Sequence, residues 1–157
     1  MVAVNFGEPV ASGAALAAVV RRPVDDWQAA IRLSCSLLEK NGAVTVVYAD
    51  RCIAMVEEHG PYIVLAPGIA LAHARPQDGV IRLGVSVATL SEPVSFGHND
   101  NDPVDVVFAF GSPDNDQHVE LLSKLAQLLL GGLADRLRDA EDDATARSLL
   151  EEVTQDE

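Results

Sequence analysis

Aromatic residues make up only 4% of the 157-residue chain, too few for a base-stacking platform or an aromatic core. Basic residues are scarce too: 11 Lys and Arg stand against 24 Asp and Glu, a net charge of −13. That sign repels a phosphate backbone and an anionic membrane surface, so nucleic acid is excluded as an expected partner. The two cysteines, Cys35 and Cys52, make no C-x-x-C pair and no zinc spacing, and a disulfide framework needs more of them. They sit among apolar neighbours at helical spacing, as buried thiols of a reducing compartment do. Long apolar runs are missing as well. The stretch from Pro9 to Val20 is too short to span a bilayer and has no basic residue before it, so direct membrane insertion is excluded and a cytoplasmic location expected.

What is present is apolar residue in quantity, 48% of the chain, enough for the core of one domain built from Ala, Val and Leu. Residues 1–14 carry little signal and read as a flexible N-terminal arm; residues 15–157 read as the domain. Leu16 to Val20 is a short β-branched strand stopped by Arg21-Arg22-Pro23. Asp25 can cap a helix with the stripe Trp27, Ile31, Leu33, Leu37 and Leu38, ended by Asn41-Gly42. Thr45 is the expected cap of a second helix bearing Val46, Cys52, Ile53 and Val56, closed at Gly60.

From Tyr62 the texture changes to strands cut by Pro67-Gly68 and by Gln77-Asp78-Gly79, with further strands over Ile81 to Leu90 and Val104 to Phe110. Asp114 followed by Gln117 resembles a capping box for a helix from Asn115 to Leu130, with Val119, Leu122, Leu125, Leu129 and Leu130 expected inward. Leu133 to Val153 reads as one or two amphipathic helices before an acidic tail. The fold class is therefore α/β, a single domain with a sheet covered by helices.

The phosphate-binding motifs G-x-x-x-x-G-K-[ST] and G-x-G-x-x-G are absent, as are H-E-x-x-H and G-x-S-x-G. Four histidines remain. His73 lies in the small and apolar segment from Ala66 to Pro76, and Pro76 biases Arg75 toward extended backbone, so a strand ends here and presents the ring. A neutral imidazole there can act as a nucleophile, with its second nitrogen fixed by a backbone carbonyl; a satisfied packing role is the competing reading. His118 falls in the first turn of a helix, where outward N–H groups and the macrodipole favour a phosphate; a solvated surface role competes. His98, in His98-Asn99-Asp100-Asn101-Asp102, lacks the Gly and Glu of a calcium loop and reads as a polar turn. His59, beside Gly60, reads as a helix C-terminal residue with a stabilising role. Two histidines and Arg75, without a nucleotide motif or metal cluster, suit phosphoryl transfer between side chains, where the protein positions in-line nitrogens and stabilises charge on the equatorial oxygens.

The stretch Gly60 to Gly68, then His73-Ala74-Arg75-Pro76, Pro93-Val94-Ser95-Phe96-Gly97, Asn101-Asp102-Pro103-Val104 and His118, resembles the enzyme IIA components of the mannitol/fructose class (type 2) of the bacterial phosphotransferase system, nearest to the ascorbate-type branch. The resemblance runs from about Leu16 to Val153. It implies a mixed β-sheet flanked by helices, with His73 as phosphoacceptor from the phosphocarrier HPr and onward transfer to a cysteine of a sugar-specific enzyme IIB. It further implies that His118 stabilises the phosphoryl group and that no metal or nucleotide cofactor takes part. Glu57 stands where many mannitol and fructose members carry Arg, a feature shared with the ascorbate branch, which makes Arg75 the candidate for charge compensation; an exposed salt bridge is the other reading of Arg75. Ala72 replaces the family's common Pro before the histidine. A regulatory protein whose phosphorylation at His73 controls a partner is the alternative to a transport component, and a homodimer is compatible with either.

Overall fold

The computed structural model describes residues 14–154, so the arm expected over 1–14 lies, apart from Ala14, outside the described residues, as does the end of the acidic tail. Five strands form one mixed sheet in the order β1-β4-β5-β3-β2. They are β1 (Ala15–Arg22), β2 (Val64–Ala66), β3 (Ile69–Ala72), β4 (Gly84–Val94) and β5 (Val104–Gly111). β1 runs parallel to β4 and β3 parallel to β5, whereas β4–β5 and β2–β3 are antiparallel. Helices α1 (Trp27–Lys40) and α2 (Tyr48–His59) cover one face, and α3 (Asn115–Leu130), α4 (Leu133–Asp139) and α5 (Asp143–Leu150) pack on the other. Each face has its own core, one around Ile31, Leu38, Tyr48 and Val107, the other around Leu71, Val85, Phe108 and Leu137. The expected single α/β domain with a helix-flanked mixed sheet is what the chain forms.

Helix ends follow local chemistry. Asp26, one residue after the expected Asp25, accepts the Ala29 N–H at 2.8 Å and caps α1. Asp114 accepts the Gln117 N–H at 2.8 Å, while the Gln117 amide reaches back to its other carboxylate oxygen. The expected Thr45 cap does not form. The Thr45 N–H bonds the Gly79 carbonyl and Ala43 accepts from Ile81, so this segment is held by the loop after β3 and cannot turn helical before Tyr48; Val46 is exposed. The same tie delays β4, which starts at Gly84 rather than Ile81. β1 continues through Arg21 and Arg22 instead of stopping there. Arg21 adopts a positive φ of 57° at a register shift, and Thr89 Oγ1 accepts its N–H at 2.8 Å.

In α3 the buried residues are Leu121 and Leu125, whereas Val119 is 64% and Leu130 91% exposed. Val119 and Leu130 are eleven residues apart, three turns, and so share the outward face. Leu125 is buried as expected, and Leu122 and Leu129 pack partly buried against the same core, so the expected stripe holds in its middle and fails at Val119 and Leu130. The cysteine expectation holds: both thiols are buried and free, Sγ to Sγ 3.9 Å.

Candidate functional site

β3 ends at Ala72, immediately before His73, and Arg75 is extended at φ −83°, ψ 156°, as its Pro neighbour dictates. A 3-10 turn over Pro76–Asp78 then takes the chain away from the sheet. Extending the β3–β5 register, in which Ala72 faces Ala109, sets His73 beside Phe110. The two rings stack accordingly, with centroids 5.3 Å apart and planes at 25°. α3 starts just beyond β5 and brings His118 to the same place, its ring 5.6 Å from that of His73 and 4.9 Å from that of Phe110. Two histidines 45 positions apart thus meet at the end of the sheet.

His73 Nδ1 lies 3.0 Å from the Leu71 carbonyl. A carbonyl only accepts, so Nδ1 carries the proton and Nε2 holds a free lone pair. Burial lowers the pKa of His73 below the usual histidine value; the Leu71 carbonyl opposes this and the nearby His118 adds to it. Burial lowers His118 as well. Both shifts favour the neutral ring near pH 7. Because the unfolded chain protonates these histidines more readily than the folded one, stability is expected to fall as pH drops from about 6.5 through the lowered folded values. Denaturant titrations from pH 7 to 5 check this, and His73→Gln should flatten the decline.

A cleft of about 380 Å³ opens over the pair, lined also by Met55, His59, Tyr62, Arg75 and Asn115. Tyr62, 40% exposed, meets the His73 ring edge-on at 5.9 Å and the His59 ring at 6.3 Å. Arg75 is present but engaged: its Nε and Nη2 donate to both Asp78 oxygens at 3.1 and 3.2 Å, and Asp78 is buried. That guanidinium in turn holds the Asp78 carboxyl below the usual range. The salt-bridge reading of Arg75 holds, with the residue also lining the cleft. Ile69, Leu71 and Ala74, the apolar residues around His73, are buried in the cores, and Tyr62 with Met55 forms the accessible rim. The Asp114 carboxylate caps the α3 N-terminus and already occupies the Gln117 N–H.

His98 sits in its polar turn, where Nδ1 accepts from the Asp100 and Asn101 N–H groups. His59, read as a helix-end residue, does end α2, but it also lines the cleft. Phe110, Tyr62 and Tyr48 escaped sequence reasoning. The Tyr48 hydroxyl, buried under β3, accepts the Ala74 N–H at 2.9 Å and donates to the Phe110 carbonyl at 2.8 Å. Among the described residues no group of three or more His, Cys, Asp or Glu is placed to hold a metal ion, and no helix is long and apolar enough to cross a membrane.

The family model described as the phosphoenolpyruvate-dependent sugar phosphotransferase system, EIIA 2, matches residues 17–153, and the chain belongs to that family. It is 40% identical over 97 residues to the ascorbate-specific PTS system EIIA component of Shigella boydii, and 39% identical over 97 residues to the component of that name in Escherichia coli K12. Each alignment covers 62% of this chain and 63% of the relative, so under two thirds of those proteins is matched. The solution structure of the mannitol-specific cryptic phosphotransferase enzyme IIA CmtB from Escherichia coli superposes with a TM-score of 0.75 at 28% identity, covering 94% of this chain and 95% of that one. The complex of enzyme IIA and phosphorylated enzyme IIB for mannitol from Escherichia coli gives 0.73 at 22% identity, over 85% of this chain and 93% of the other, a likeness of fold.

Proposed function

We propose that the protein is a phosphocarrier: Nε2 of His73 accepts a phosphoryl group from the phosphohistidine of HPr and passes it to a cysteine of an enzyme IIB, serving uptake of ascorbate or a related sugar. The observation that carries the reading is the His73 ring, tethered through Nδ1 to the Leu71 carbonyl and lining the cleft beside His118. In the first step the Nε2 lone pair forms a bond to phosphorus as the donor's P–N bond breaks, and the donor imidazole leaves with the electron pair. The Nδ1 proton stays on His73, its positive charge facing the Leu71 carbonyl, and a cationic ring is the better leaving group when the cysteine thiolate attacks. His118 donates to the phosphoryl oxygens as charge builds on them. Arg75, already paired with Asp78, contributes a weaker field, so Arg75→Ala should slow acceptance several-fold and less than any change at His118; stopped-time phosphorylation assays compare the two.

Transport for a sugar of the ascorbate type is supported by the relatives' names and by Glu57 at a position where Arg is common elsewhere in the class. The test is incubation with phosphoenolpyruvate, enzyme I and HPr, followed by intact mass measurement. One added phosphoryl group, removed on adding the ascorbate-type enzyme IIB, is the expected result. A chain that gains none is not a phosphocarrier, and one that keeps its phosphoryl group beside that enzyme IIB serves another pathway.

A further inference from the structure

Parallel pairing of β3 with β5 places Ala70 opposite Val107 and Ala72 opposite Ala109, and the Val106 N–H bonds the Gly68 carbonyl at 3.0 Å. In a parallel ladder the bonds recur every second residue. The next rung would therefore join the Ala74 N–H directly to the Phe110 carbonyl. It does not close; the Tyr48 hydroxyl stands in it, 2.9 Å from the nitrogen and 2.8 Å from the oxygen. One hydroxyl replaces a direct bond, so the strands part by about the width of an oxygen atom just where His73 leaves the sheet and stacks on Phe110.

We propose that Tyr48 is a positioning residue of the phosphoacceptor site: by holding this last rung open it sets the pitch of the His73 ring against Phe110 and His118. This rests on the phosphocarrier reading for its catalytic consequence, though not for its structural one. Tyr48 is fully buried on α2, and its hydroxyl bonds backbone rather than the His73 ring. Burial raises its pKa far above neutral, so the hydroxyl keeps its proton and donates throughout the physiological range. Its short hydroxyl bonds go to backbone, to Ala74 just past the end of β3 and to Phe110 on β5. Without the oxygen, either the rung closes and drags His73 toward β5, or two buried backbone groups are left unpaired. The ring moves in both cases.

The test compares Tyr48→Phe with Leu38→Ala, which opens a cavity in the same core beneath α1 and leaves the Tyr48 hydroxyl and its bonds to Ala74 and Phe110 in place. Long-range proton–nitrogen spectra of the unphosphorylated proteins read the His73 tautomer, shifts and titration midpoint, with no phosphoryl donor present. Phosphate acceptance from HPr is timed separately. For Tyr48→Phe we expect a moved His73 midpoint and shifts, and acceptance slowed by about tenfold or more, since misplacement of a reacting group by about 1 Å can cost ~100-fold. Leu38→Ala should melt earlier yet keep the wild-type His73 signature and acceptance. An unchanged His73 spectrum in Tyr48→Phe overturns the proposal, as does an equal change in Leu38→Ala. If wild-type protein accepts no phosphate, the phosphocarrier reading fails while the spectra still judge the positioning role. Should Tyr48→Phe not fold, 3-fluorotyrosine incorporated into Tyr62→Phe protein alters the one remaining tyrosine hydroxyl, and an unmoved His73 spectrum is again the refuting result.

Discussion

His73→Gln is expected to abolish phosphate acceptance altogether while leaving the fold intact. Gln has no ring nitrogen able to carry a phosphoryl group, and no other histidine has the same combination of a carbonyl-fixed Nδ1 and an aromatic stacking partner. His118 shares the Phe110 ring and His59 the cleft, so both would compete as acceptors if access alone decided. Tethering is what sets His73 apart. The structural cost is small because the residue after the strand is half-buried and its neighbours Ala72 and Ala74 are held by the sheet and by Tyr48. A stability change within about 1 kcal/mol is expected by chemical denaturation, in line with loss of one modest hydrogen bond. A variant that fails to fold, or one that still gains the phosphoryl mass, contradicts the assignment of His73.

His118→Ala is expected to slow acceptance by about a hundredfold while the final stoichiometry stays at one phosphoryl group per chain. Removing a single preorganised donor from an oxyanion site typically costs that much. The second signature is electrostatic. The His118 ring helps to lower the His73 pKa, so its removal should raise the His73 titration midpoint, and more of the ring is then protonated and unreactive in mildly acidic buffer. Rate measured from pH 7.5 down to 5.5 should therefore drop earlier in the variant than in the wild type. Loss of stoichiometry instead of rate would mean that His118 carries the group covalently.

How much of this was legible follows from how local each signal is. The strand leading to His73 could be read because Pro67-Gly68 and Pro76 bracket it, and these residues fix backbone angles whatever surrounds them. The helix start at Asp114 could be read for the same reason: its carboxylate bonds a backbone N–H three residues on. His118 could be placed in that first turn, but its meeting with His73 depends on sheet order, which no local pattern encodes. Phe110 looked like one more apolar strand residue, since only the β3–β5 register gives it a partner. Tyr48 was hidden twice, by the missing helix cap and by bonds that reach 26 and 62 residues along the chain. The α3 stripe was legible in its middle, where Leu125 is buried and Leu122 and Leu129 pack against the core, and not at Val119 and Leu130, because apolar residues on every side of the helix leave the choice of inner face to tertiary packing.

The most direct check of the account is a long-range proton–nitrogen spectrum of the protein after phosphorylation by HPr. Coupling to phosphorus at Nε2 of His73, with the Nδ1 proton still bonded toward Leu71, is the predicted result. A phosphoryl group on Nδ1 of His73, or on His59, His98 or His118, would contradict it.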